Sequence, residues 1–186
     1  METWAWVVIA IAAAVAIIVI VMAVLAFLQQ RRRQRLREQF GPEYERAVEG
    51  QRRGRAERDL QQRVTEREHL EVRPLSPGAR ERYVRDWESL QSEFVDRPEV
   101  AIESADSLVT QVMREEGYPV DDFDEQAQLV SVDHPHVVEN YRAAHGTYER
   151  HTREATSTED LRRALVSYRS LFDELVSVGD GGRRPG

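Results

Sequence analysis

Residues 4–28 read WAWVVIAIAAAVAIIVIVMAVLAFL, without one charged side chain, and residues 31–37 follow as RRRQRLR. As a helix rising roughly 1.5 Å per residue, such a run is long enough to cross a hydrocarbon core of about 30 Å with some tilt. The stretch therefore predicts a transmembrane anchor over residues 1–28. Its flanks are asymmetric. Arg31, Arg32, Arg33, Arg35 and Arg37 load the C-terminal side, whereas Glu2 is the only charge on the N-terminal side. By the positive-inside rule the expectation is a single-pass cell-membrane protein, N-terminus out and C-terminal domain cytoplasmic. Trp4 and Trp6 fit an interfacial aromatic belt at the outer face.

A cleaved secretory signal is the competing reading, and three features oppose it. The n-region carries an acid and no base, the apolar run is about twice a usual h-region, and the positive cluster follows instead of preceding it. Val24, Leu25 and Ala26 nonetheless offer a small-residue cleavage site. Behind the anchor, composition changes sign. Residues 29–78 hold 13 Arg against 9 acids, and residues 79–186 hold 13 Arg against 23 acids, so the net charge of −7 conceals a dipolar layout. Cysteine is absent, which excludes disulfides, thiolate metal sites and a Cys nucleophile. Every one of the 26 basic residues is Arg, which reads as the coding bias of a high-GC genome.

Residues 29–75 read as a basic juxtamembrane helical stalk. Arg31 to Arg37 extend the membrane helix until Gly41 and Pro42 interrupt it. Beyond them Tyr44, Val48, Ala56, Leu60 and Val64 recur at steps of four, with Arg52 interrupting the register. That stripe is thin for a buried face, and it does not fix whether the stalk pairs as a coiled coil. Glu49 with Arg53, Asp59 with Arg63 and Arg67 with Glu71 stand i,i+4 apart, each pair worth about 0.2–0.5 kcal/mol on a solvated helix. The five flanking arginines would gain roughly 1 kcal/mol each beside an anionic leaflet. The lipid bilayer and anionic lipid headgroups are thus the expected partners. Acids nearly balance bases from Glu38 onward, which argues against nucleic acid.

Residues 76–178 read as an acidic helical bundle, and residues 179–186, rich in Gly, as a disordered tail. Ser76 and Pro77 offer an N-cap and an N1 proline, after which Tyr83, Trp87, Leu90 and Phe94 repeat at helical spacing. Pro98 restarts the chain. Ala101, Ala105, Leu108, Val109, Val112 and Met113 form a second stripe ending at Gly117, suited to a C′ position. Asp121 and Asp122 cap a short helix bearing Phe123, Ala127 and Val130. Asp133 with Pro135 marks the expected start of a longer one with Val137, Tyr141, Ala144 and Tyr148. Ser157 and Asp160 make a capping-box-like start for the last helix, whose stripe runs from Leu161 to Val176. No segment alternates with period two. The fold class is all-α: a transmembrane helix, a helical stalk and a bundle of four principal helices plus one short helix.

His134, His136, His145 and His151 fall close together, interleaved with Asp133, Glu139, Glu149 and Glu154, and are the one place where chemistry concentrates. His145 with Glu149 has the i,i+4 spacing for metal ligation from one helix, but no His-x-x-x-His pair and no Glu-x-x-His motif accompanies it. A packed, hydrogen-bonded histidine beside Tyr141 and Tyr148 explains the pattern equally. The acids at Asp121, Asp122, Asp124 and Glu125 lack calcium-loop spacing. No phosphate loop, nucleophile elbow or zinc-protease motif occurs. No cofactor is expected.

The run from Phe94 through Tyr118, Pro119, Asp121, Asp122 and Phe123, then Val132, Asp133, His134 and Pro135, then Val137 to Arg142, resembles a family of small uncharacterised proteins. These are membrane-anchored or secreted helical proteins of high-GC Gram-positive (actinobacterial) bacteria. The resemblance takes in the Arg73 to Pro77 segment and nearly all of the soluble part. It implies the same anchored helical design and supplies no activity, ligand or catalytic residue. The leading expectation is therefore a non-enzymatic protein-interaction or scaffold module at the cytoplasmic face, with an unidentified protein partner. Two rivals stand beside it: a metal-dependent or acid–base enzyme using the histidine-rich helix, and an extracytoplasmic anchored bundle.

Overall fold

The computed structural model describes residues 2–177, with side chains from residue 14 onward. The expected tail at 179–186 lies outside the described residues, as do the side chains of Trp4 and Trp6. Eight helices and no strand occur among the described residues. They fall into two compact units, Met1–Gln39 and Phe40–Gly186.

The first unit is the helix α1, Glu2–Phe40. Its span Ala14–Phe40 contains a window of mean hydropathy 2.1, long and apolar enough to cross a membrane. Apolar side chains from Val15 to Leu28 are exposed, with none turned into a core. The basic flank continues the same helix, and the Arg31 guanidinium lies 4.8 Å over the Phe27 ring. Gly41 ends the run at φ 46°, and Pro42 opens the next helix at N1.

The second unit contains α2 (Pro42–Gly50), α3 (Arg53–Glu68), α4 (Pro77–Asp96), α5 (Pro98–Glu116), α6 (Phe123–Asp133), α7 (Val138–His151) and α8 (Thr158–Ser177). The last five are the expected four principal helices plus one short one. α4 and α5 form a pair, α7 and α8 form another, and α5 packs across both. α8 touches α4, α5 and α7. Its eight stripe residues, Leu161, Ala164, Leu165, Tyr168, Leu171, Phe172, Leu175 and Val176, are all buried. Side-chain caps form where the sequence placed them. Ser76 Oγ accepts from the Ala79 amide at 3.2 Å, Asp122 from Glu125 at 2.8 Å, and Ser157 from Asp160 at 3.1 Å.

Two segments differ from the sequence reading. α2 and α3 do not stand apart as a solvated spacer: α3 packs on α2 and on α6. Phe40, Ala56 and Leu60 are fully buried, with Tyr44 nearly so, although none of them belongs to the main core. The stripe is thin because the patch it covers is small. The second difference concerns Asp133, which closes α6 instead of opening the next helix. His134 still donates its amide to the Val130 carbonyl at 2.8 Å, Pro135 sits in a turn, and α7 begins only at Val138.

Gly117 joins these parts. It sits at φ 103°, with the Tyr118 amide donating to the Met113 carbonyl at 2.9 Å and its own amide to Arg114 at 3.1 Å, a Schellman closure. A Cβ there would meet the Glu71 carbonyl oxygen at 2.8 Å. Gly117→Ala thus combines a left-handed backbone with a backbone clash. A loss of about 2 kcal/mol is expected in urea unfolding of the full chain in detergent. Gly78→Ala, where a Cβ meets nothing within 4 Å, is the matched control.

Candidate functional site

The four clustered histidines do not share a site. His145 Nδ1 lies 2.9 Å from Asp106 Oδ1, and its ring stacks on Phe123 at 3.7 Å between centroids, 9° from parallel. His134 is buried, with Nδ1 3.5 Å from Glu174 Oε1. His136 packs against Gly41, whose missing Cβ leaves room that a methyl would contest at 3.2 Å, and lines a cleft with Pro42, Glu45, Arg46, Glu49 and Glu139. His151 buries Nδ1 without an acceptor. Glu149, four residues past His145, pairs instead with Arg153 at 3.8 Å, out on the surface. No group of three potential metal ligands converges among the described residues.

Around His145 the geometry is that of a tied packing cluster. Asp106 comes from the core face of α5 and accepts from Tyr168 Oη at 2.7 Å on the same oxygen that meets His145. Tyr141 Oη donates to Gln126 Oε1 at 2.8 Å, and its ring meets Phe123 at 5.1 Å and Tyr168 at 6.1 Å. Burial first, and the Asp106 charge second, push the hydroxyls of Tyr168 and Tyr141 above the ordinary tyrosine value. Both remain neutral donors. One aspartate thereby satisfies the buried Tyr168 of α8 and the half-buried His145 of α7, and it locks α5 to both.

A second cluster is centred on Glu43, only 3 % exposed, at the start of α2. Arg142 of α7 grips it with both nitrogens, at 2.7 and 2.9 Å, and Arg63 of α3 adds a third bond at 3.2 Å. Arg63 also holds Asp59 at 2.6 Å, the expected i,i+4 pair. Tyr44 Oη, beside it, donates to Glu57 at 3.0 Å. Three helices converge on one carboxylate. The bidentate grip is what a planar guanidinium does best.

The third cluster is at the far end of α3. Arg67 reaches Asp133 of α6, not the Glu71 that its spacing suggested, and Glu71 pairs with Arg73 at 2.6 Å. Tyr118 Oη donates to the same Asp133 oxygen at 2.5 Å, and the Arg67 guanidinium lies 5.8 Å from the Tyr118 ring centroid. Glu116 is buried beside them, 4 % exposed. Burial, reinforced by Asp133 and opposed by Arg67, pushes Glu116 up to about 7.

Periodicity put Tyr141 and Tyr148 on one helix face with His145 beside them, and in the structure the His145 ring lies 6.4 Å from Tyr141 and 6.0 Å from Tyr148. Periodicity passed over Asp106, Glu43, Arg142 and Glu116, because a buried charge looks like a surface charge until its partner is known. The faint signal for Asp106 was its position next to Ala105 on an otherwise apolar stripe.

The class defined by this fold is an all-helical protein with one apolar N-terminal helix and a helical unit whose buried polar groups are tied largely to one another. No known protein family matches the chain, and neither a curated protein nor a solved structure matches it.

Proposed function

We propose that the chain is a single-pass membrane-anchored, non-enzymatic protein that holds its acidic helical unit at the cytoplasmic face as an interaction or scaffold module. The observation that carries this reading is α1. Its apolar side chains lie exposed, and the helix passes without a break into the arginine collar at Arg31, Arg32, Arg33, Arg35 and Arg37. An exposed apolar surface of that length is unstable in water and is stabilised by lipid. The collar supplies the charge asymmetry that favours the N-terminus-out orientation and draws anionic headgroups to it. A scaffold role is further supported by the way Asp106, Glu43 and Asp133 spend their charge on joining helices.

Deletion of residues 2–28 tests the anchor. The full chain is expected in the membrane fraction, resistant to carbonate extraction, and the shortened chain in the soluble fraction. An unchanged distribution would overturn the anchor. Protease treatment of intact cells tests the orientation, since a cytoplasmic unit is protected until the cells are opened. In-cell crosslinking followed by purification from membranes tests the interaction role, and recovery with no reproducible partner would count against it.

A second reading is favoured by one distance, the 2.9 Å between His145 Nδ1 and Asp106 Oδ1, the orienting contact of a histidine general base. It requires Nε2 to face a substrate. Its test is His145→Gln, which would abolish any activity detected for the purified protein.

A further inference from the structure

Glu116 is a buried carboxyl that Asp133 and Arg67 act on in opposite directions. It projects from the last residue of α5, at the place where three parts of the chain meet. The Arg73 amide donates to the Glu116 carbonyl at 2.8 Å, which straps the connection from α3 to α4 onto the end of α5. Gly117, with no Cβ, lets Glu71 of that strap lie close against the end of α5. On the other side, Arg67 binds Asp133 and so fastens α3 to the end of α6.

We propose that Glu116, Asp133 and Arg67 form a pH-sensitive latch, closed while Glu116 carries its proton and released when that proton leaves. In the closed state Arg67 serves Asp133 alone, with Tyr118 Oη as the second donor to the same carboxylate. Loss of the Glu116 proton places a second, buried negative charge beside the part-exposed Asp133, with one cation for the two. Arg67 must then be divided between two carboxylates, and water must enter to solvate the one left over. The parts free to separate are α3 and residues 69–76, which pack on α6 and on the end of α5. The cores of α5 and α8 stay where they are.

The other charges around Glu116 do not relieve it. From α6 it faces Asp133, from α3 Arg67, and from its own turn Tyr118. On the connection Glu71 and Arg73 pair with each other at 2.6 Å, and His69 at the end of α3 is exposed. On α4, Arg82 and Tyr83 are taken by Glu115, each at 2.7 Å. With Glu116 raised to about 7, the folded latch holds a proton that an unfolded chain would release near the ordinary carboxyl value. Its stabilisation is therefore full in acid and is lost as pH rises through about 7.

Hydrogen exchange on the full chain in detergent tests this, with rates corrected for the intrinsic effect of pH. The probes are the latch amides of Leu70 and Arg73, bonded to the Arg67 and Glu116 carbonyls. Between pH 5.5 and 8.5 their protection is expected to fall about 30-fold, as a carboxyl raised from 4.5 to about 7 requires. The α8 amides of Leu171 and Phe172 should keep theirs. Glu116→Gln should hold the latch amides protected at both pH values. Flat protection in the natural chain overturns the proposal. So does an equal loss in α8, which would mean global destabilisation, or an equal loss in Glu116→Gln, which would assign the effect to another group such as His69. Should the Gln variant fail to fold, the comparison of latch and α8 amides in the natural chain still decides.

Discussion

Glu43→Ala is expected to lower the unfolding free energy of the full chain by about 3–4 kcal/mol, read as the shift of a urea transition in detergent. The size follows from what remains. Arg142 and Arg63 are nearly buried, 13 % and 11 % exposed at the side chain, and both lose the carboxylate they converge on. Each keeps a second, more exposed carboxylate, Arg142 to Glu139 at 3.5 Å and Arg63 to Asp59 at 2.6 Å, which places the loss toward the lower end for a broken buried pair. Glu43→Gln retains an acceptor oxygen and should lose less. The double substitution Glu43→Leu with Arg142→Met removes both charges together and should recover most of the stability of Glu43→Ala. If the double variant were as unstable as the single one, the cost would lie in lost packing and not in stranded charge.

Trp87→Ala is the other large loss, about 3–5 kcal/mol in the same assay. Trp87 is 2 % exposed on α4 and stacks on Phe172 of α8 at 4.6 Å between centroids, 21° from parallel. α4 meets α8 over a short stretch, so this ring pair supplies much of what joins them. Trp87→Phe keeps a ring against Phe172 and should cost only about 1 kcal/mol. The indole N–H is buried without an acceptor, and its removal offsets part of the lost contact area. Equal losses for Ala and Phe would show that the indole nitrogen matters in a way this packing does not explain.

Both predictions rest on partners that come from distant parts of the chain, and this separates what was legible in the sequence from what was not. Local features were read well. The prolines at 77 and 98, the caps at Ser76, Asp122 and Ser157 and the glycine at 117 depend on residues within one helical turn, and each is placed where its chemistry requires. The apolar stripes of α4, α5 and α8 followed from spacing alone. The misreadings were non-local. Asp133 next to Pro135 has the local form of a helix start, and only the approach of Arg67 and Tyr118 keeps it at the end of α6. Arg67 had two acidic candidates, Glu71 one turn away and Asp133 far along the chain, and it takes the one that ties two helices together.

Taken alone, the sequence determined that the chain is helical throughout, that its first helix is apolar enough for a membrane, and where most helices begin and end. These are properties of side-chain periodicity and of backbone groups that neighbours satisfy. The tertiary structure decided which charges leave the open surface and what they meet there. Glu43, Asp106 and Glu116 look like any other acids in an acid-rich chain, but folding sets the first between two arginines, the second beneath a histidine and a tyrosine, and buries the third beside Asp133. The physical reason is that a carboxylate's energy depends on the charges and donors within a few ångströms, and those are supplied by helices far apart in sequence.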